Sequence, residues 1–61
     1  MTLLQEIYRD VVAALAMAGG NNNRSLCANE LRAIRNRLEP LMPPHIVEEA
    51  KRYADIFAEQ Q

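Results

Sequence analysis

The side chains that could perform catalysis are few and far apart in this sequence. Cys27 is the only cysteine and His45 the only histidine among 61 residues, and the second predicted helix separates them. A nucleophilic thiolate needs a neighbouring base that a third group orients, and no third group is evident. Cys27 falls instead among regularly spaced apolar residues, which predicts a small buried hydrophobic side chain.

His45 is followed by two carboxylates, Glu48 and Glu49. A histidine and a carboxylate four residues apart on a helix can share a metal ion, but two ligands make a weak site. The adjacent glutamates point to different sides of a helix, which does not suit paired acid–base catalysis. Ser25 and Thr2 stand where helix N-caps are expected. We therefore expect a protein that is not an enzyme, with no metal site and no cofactor.

Arginine is the more informative residue type. Six of the seven basic residues are arginines, and four of them lie within residues 24–37. On a helix, Arg32 and Arg35 project from the same side. A donor-rich surface of this kind could recognise phosphates or an acidic protein, or it could be a solvated face with no partner. The predicted partner-binding face consists of Asn29, Arg32, Arg35 and Asn36.

The overall charge makes nucleic acid the second choice of partner. Seven basic and eight acidic residues give a net charge of −1, so the chain has no bulk basicity. The turn of a helix-turn-helix motif has about three or four residues, whereas Gly19 to Ser25 makes seven. A protein partner is therefore the first hypothesis. A dimeric nucleic-acid-binding regulator using Arg32 and Arg35 is the second, and a purely structural oligomerisation module is the third.

Two clusters of turn-forming residues divide the chain into three segments. The first is the Gly-Gly-Asn-Asn-Asn run at 19–23, and the second is Pro40 with Pro43 and Pro44. In each of the three segments, apolar residues recur at intervals of three and four, which is typical of amphipathic helices. The spacing predicts helices over about 3–18, 26–39 and 44–60.

Three helices without a strand signal predict an all-α fold in one domain, residues 1–61. A chain this short hides only about 60% of its surface, so a lone monomer is marginally stable. We therefore predict a homodimer or higher homo-oligomer. Either the three helices form a bundle that dimerisation completes, or the first two form a hairpin and the third packs on another chain. The residues predicted to form the core or the oligomer contacts are Leu4, Tyr8, Val11, Leu15, Cys27, Leu31, Ile34, Leu38, Ile46, Tyr53 and Phe57.

The apolar run Val11–Ala18 is the one candidate for a targeting or membrane segment. Its eight residues are far fewer than the ~20 that span a bilayer. A signal peptide needs a positive leader, but here Glu6 and Asp10 outweigh Arg9. We expect no membrane contact and a cytoplasmic location, which the lone cysteine also favours.

The general plan of the chain resembles the small helical accessory proteins encoded in the early regions of lambda-like phages. The resemblance rests on the Thr2-capped first helix, the turn at 19–23 and the Pro43–Pro44 elbow. It implies a protein that acts on host regulation by binding rather than by catalysis. It assigns no role to any individual residue.

Overall fold

The computed structural model describes residues 1–19 and 25–59, which contain three α-helices and no strand. Helix α1 spans Leu3–Met17, α2 spans Leu26–Leu38 and α3 spans Pro44–Glu59. A 3-10 helix at Glu39–Leu41 follows α2 directly. The predicted all-α fold is thus confirmed. Helices α1 and α2 each end one residue before the predicted boundary.

The predicted cap residues begin these helices. The Thr2 hydroxyl accepts a hydrogen bond from the Gln5 N–H at 3.2 Å, and the Gln5 side chain accepts one from the Thr2 N–H at 3.0 Å. This reciprocal pair is a capping box. The Ser25 hydroxyl accepts from the Ala28 N–H at the start of α2. After α1, Gly19 adopts a φ of 98°, which a residue with a side chain disfavours. The rest of the predicted turn, residues 20–23, lies outside the described residues.

The proline-rich elbow contributes to the core. Pro40 occupies the first turn of the 3-10 helix, where its missing N–H is not needed. The Met42 N–H donates to the Glu39 carbonyl oxygen at 3.0 Å, which closes this short helix. The Met42 side chain is then buried, although the sequence reading had not placed it in the core. The elbow is therefore a packed connection between α2 and α3.

Helix α1 packs mainly against α3 and less extensively against α2. The central cluster joins α1, the elbow and α3, and Val12, Leu38 and Val47 pack around it. Several buried positions are alanines, whose small side chains let helix backbones approach closely. The cluster consists of Tyr8, Met42, Ile46 and Ala50, and the other buried residues are Ala13, Leu15, Ala28 and Ala54.

The residues predicted to form the core or the oligomer contacts divide into three groups. Tyr8, Leu15 and Ile46 are buried within the chain. Five more are half-buried: Val11, Leu31, Leu38, Tyr53 and Phe57. Leu4, Cys27 and Ile34 are exposed. For Cys27 the expectation of burial is wrong within the single chain, because α2 turns Ala28 rather than its apolar stripe toward α1.

The buried Tyr8 phenol connects the core to the end of α2. Its hydroxyl donates a hydrogen bond to Glu39 Oε1 at 3.0 Å. Burial raises the pKa of Tyr8 from 10.0 to about 12. The hydrogen bond to Glu39 and the negative charge of Glu39 add to this rise, whereas the Arg35 charge opposes it. The neutral phenol is therefore the form that the fold stabilises.

We predict that the stability of the protein declines in alkali because of Tyr8. An unfolded tyrosine loses its proton near pH 10, before the folded one, so the contribution of Tyr8 is complete below pH 10 and is lost as the pH rises to about 12. The free energy of unfolding should fall by on the order of 2 kcal/mol over this window. Urea denaturation at a series of pH values measures this change in the free energy of unfolding.

Tyr8→Phe supplies the control for this prediction. The variant should lose about 1.5–3 kcal/mol at neutral pH, because its hydrogen bond to the charged Glu39 carboxylate is gone. It should then decline less between pH 10 and pH 12 than the wild type does. Parallel declines of the two proteins would show that Tyr8 is not the group responsible.

Candidate binding surface

Helix α2 is attached to the rest of the fold by a narrow side. Ala28 is its only fully buried residue, and Arg32 and Arg35 follow it at helical spacings of four and three. Both arginines are half-buried, as are Leu31 and Leu38. Since successive residues lie about 100° apart around a helix, Ile34 lies about 120° from Ala28. Much of the apolar stripe of α2 therefore lies away from the side that packs on α1.

The two arginines of the predicted face are only partly exposed to solvent. Arg35 lines a cavity of about 200 Å³ together with α1 residues and with Lys51, Ala54 and Asp55 of α3. Its Nε and Nη2 atoms also donate to Asn36 Oδ1 at 3.3 and 3.1 Å. Arg35 thus faces the junction of the three helices, and only part of its side chain is open to solvent.

Asn29 and Asn36 are exposed, but each accepts a hydrogen bond from a neighbouring arginine. Arg32 donates from Nη1 to Asn29 Oδ1, as Arg35 does to Asn36. The structure therefore brings the four predicted residues together as two Arg–Asn pairs on one helix. The asparagines hold the guanidinium groups rather than extend a surface of donors. A long arginine side chain can lay its apolar stem along neighbouring residues while an asparagine accepts from its guanidinium group.

The exposed surface of α2 is apolar near its C-terminal end. A shallow groove of about 250 Å³ is lined by Ile34, Arg37, Leu38 and Leu41, and these four residues are called the α2 groove below. Ile34 is 40% exposed and Leu41 is 66% exposed. Side chains of this size gain roughly 1.5–3 kcal/mol from full burial. Covering the α2 groove would therefore lower the free energy of the protein.

A second apolar surface runs along the outer side of α1. Leu4 and Ile7 are each 43% exposed, and Val11 and Ala14 continue the stripe as half-buried residues. The spacing of three, four and three places these four residues, called the α1 stripe below, on one side of the helix. The stripe predicted from the sequence included Tyr8 and Leu15, which the fold buries instead. Leu4 and Val11 belong both to the α1 stripe and to the stripe predicted from the sequence. The spacing of apolar residues alone therefore does not show which side of α1 is buried.

An arginine on α1 is held against α3. The Arg9 guanidinium lies 4.6 Å from the centroid of the Tyr53 ring, and its Nη2 is 3.3 Å from Asp10 Oδ1. Tyr53 in turn meets Phe57 edge to face at 5.0 Å. Cation–π contacts of this kind contribute about 0.5–1 kcal/mol or more. The sequence near Arg9 gave no local signal for this contact, because Tyr53 lies on a different helix.

The other candidate chemical groups lie at the surface or serve as caps. His45, Glu48 and Glu49 are exposed in the first turns of α3, and Glu48 Oε1 lies 3.9 Å from Lys51 Nζ. Among the described residues, no three histidine, cysteine, aspartate or glutamate side chains are placed to hold a metal ion. Within the same residues, no helix has the length and apolar character to cross a membrane.

No protein family, no curated protein and no solved structure matches this chain. The resemblance to phage accessory proteins therefore stays a prediction.

We predict that Arg35 is needed for stability. Arg35→Glu would place a carboxylate in the cavity that Asp55 also lines, and it would remove the guanidinium from this half-buried position. We expect the free energy of unfolding to fall by about 1–2 kcal/mol. Arg52→Glu on α3 makes the same change of charge at an exposed residue and should cost no more than about 0.5 kcal/mol. Urea denaturation compares the two, and equal losses would mean that Arg35 is simply a solvated charge.

Proposed function

We propose that this protein is a non-enzymatic helical binding protein of the cytoplasm, which works as a homo-oligomer and acts by occupying a partner protein. The observation that carries the proposal is the exposure of two apolar surfaces, the α1 stripe and the α2 groove, on one small chain. Contiguous apolar surface on a small protein is a mark of interaction sites.

The weak attachment of α2 supports self-association. An isolated helix of fewer than about 12–15 residues is marginal in water, and its stability in a protein comes from burying an apolar side. Helix α2 has 13 residues and buries only Ala28 completely. Covering the α2 groove would supply burial that the single chain does not provide.

The surface area also fits an assembly of modest size. A specific interface hides roughly 800 Å² on each partner. The whole chain exposes 4313 Å², so one such interface would cover about a fifth of it. Two interfaces, one for a second copy and one for a partner protein, can therefore coexist on this surface.

The α1 stripe suits a protein partner better than a nucleic acid. Leu4, Ile7 and Val11 have the spacing of anchors by which an amphipathic helix enters an apolar groove. The arginines proposed for phosphate contacts are half-buried and bonded to asparagines, so the nucleic-acid hypothesis has less support. The resemblance to phage accessory proteins favours a regulatory role exercised through such binding.

We predict that thermal stability depends on protein concentration. Self-association involves only the folded state, so mass action raises the melting temperature as concentration rises. Sedimentation over the micromolar range should show a species heavier than the 6.9 kDa chain. A 6.9 kDa species alone, with a melting temperature that does not change on dilution, would refute the homo-oligomer.

We also predict that partner binding depends on the α1 stripe. Ile7→Glu should reduce capture of a partner protein from nuclease-treated native lysate by at least about tenfold, which corresponds to 1.4 kcal/mol. Ile56→Glu is the matched control, because Ile56 is an isoleucine on the outer side of α3 that is 55% exposed. Equal loss in both variants would count against the α1 stripe. Loss of capture by nuclease treatment alone, with binding that weakens steeply as salt is added, would favour the nucleic-acid alternative.

A further inference from the structure

The α2 groove carries charges arranged for pairing with a second copy of the same helix. Ile34 is exposed on α2, and exposed Glu30 and Arg37 lie four residues before it and three after it. By the helical repeat, Glu30 and Arg37 lie within about 20° of each other around the helix axis. The two opposite charges therefore flank Ile34 on the same side, at opposite ends.

This arrangement distinguishes between the two ways in which identical helices can pair. With a rise of about 1.5 Å per residue, Glu30 lies about 6 Å from the level of Ile34, and Arg37 lies about 4.5 Å from it in the other direction. A twofold axis perpendicular to α2 at the level of Ile34 reverses the direction of the second helix. It leaves each residue and its symmetry copy on the same edge of the contact. It therefore brings Glu30 of each copy opposite Arg37 of the other copy.

A parallel pair would not form these charge pairs. A twofold axis along the helix keeps each residue at its own level, so the two glutamates share one level and the two arginines share another. The same axis moves each residue to the opposite edge of the contact, so no glutamate comes opposite an arginine, whereas charge pairs of this kind set partner orientation in helix pairs. The charges thus favour the antiparallel arrangement.

We propose that a second copy of this chain occupies the α2 groove, with α2 packed antiparallel to its counterpart around a twofold axis at Ile34. The two Ile34 side chains meet at the axis, the groove lined by Leu38 and Leu41 takes apolar groups of the partner helix, and two symmetric Glu30–Arg37 pairs close the edge. An interface of this type uses the same patch on both copies and ends at a dimer. The inference rests on the proposed homo-oligomer and specifies its contact.

A cysteine cross-link tests the position of the axis. In a Cys27→Ser background, which removes the native exposed thiol, Ile34→Cys places two sulfur atoms close together across the axis. Oxidised glutathione should then convert most of the protein to a covalent dimer that is resolved on a denaturing gel. Ile56→Cys in the same background is the matched control and should form at least about tenfold less dimer, since its thiol meets another only by collision. Equal cross-linking of the two variants would overturn the proposed axis.

A charge exchange tests the orientation without altering the apolar contact. Glu30→Arg and Arg37→Glu should each raise the dimer dissociation constant by about tenfold, because each change creates two like-charge contacts. The double variant restores opposite charges and should return the constant to within about threefold of wild type. Arg52→Glu, an equal charge change on α3, should leave it unchanged. Circular dichroism checks that each variant is folded.

The outcomes separate this inference from the proposed function. If the wild type dimerises but the double variant does not recover and Ile34→Cys does not cross-link, the antiparallel α2 contact is wrong and the homo-oligomer stands. If the wild type is monomeric at every concentration, both fail together.

Discussion

The packing of α1 against α3 is the interaction on which the rest of the structure depends. Alanines at 13, 50 and 54 are buried, and Tyr8 and Ile46 belong to the central cluster together with Ala50. A cation–π contact between Arg9 on α1 and the Tyr53 ring on α3 adds to the same packing. This core uses one side of α1 completely. On the other apolar side of α1, Leu4 and Ile7 are each 43% exposed in the part of the chain that the structure describes.

Helix α2 is placed by this core rather than being part of it. Its C-terminal end is fixed by the Tyr8–Glu39 hydrogen bond and by the buried Met42 in the elbow that leads to α3. Near its N-terminal end Ala28 is buried, and the half-buried Arg35 lines a cavity together with residues of α1 and α3. A hydrogen bond to a charged partner contributes about 1.5–3 kcal/mol, which is comparable to burying one large apolar side chain. The hydrogen bond to Glu39 therefore helps to hold α2, which buries only Ala28 completely.

Local sequence signals predicted the helices well, because their causes are local. The capping box at Thr2, the Ser25 cap and the glycine at position 19 act within one or two turns of the chain. The side of each helix that faces the core was predictable only for α3. There the apolar residues form a single broad stripe that includes the buried Ile46 and Ala50, whereas Ile56 lies outside it and is 55% exposed.

For α1 and α2 the periodicity was ambiguous, because each helix has apolar residues on two sides. Which side is buried depends on partners distant in sequence, such as Glu39 for Tyr8 and the α3 residues around Arg35. No pattern within a single helix contains that information. The same limit explains why Met42 was missed, since its burial follows from the path of the elbow and not from any periodic repeat.

The positions of arginine and isoleucine on α2 together give this helix its unusual character. An ordinary surface helix turns isoleucine inward and arginine outward, whereas here Arg35 is half-buried at the helix junction and Ile34 is exposed. An arginine tolerates this place because its stem packs along apolar neighbours while Asn36 accepts from its guanidinium group. An exposed isoleucine has no such compensation in water. Covering the outer side of α2, as the proposed dimer does, would place this helix between two packed surfaces.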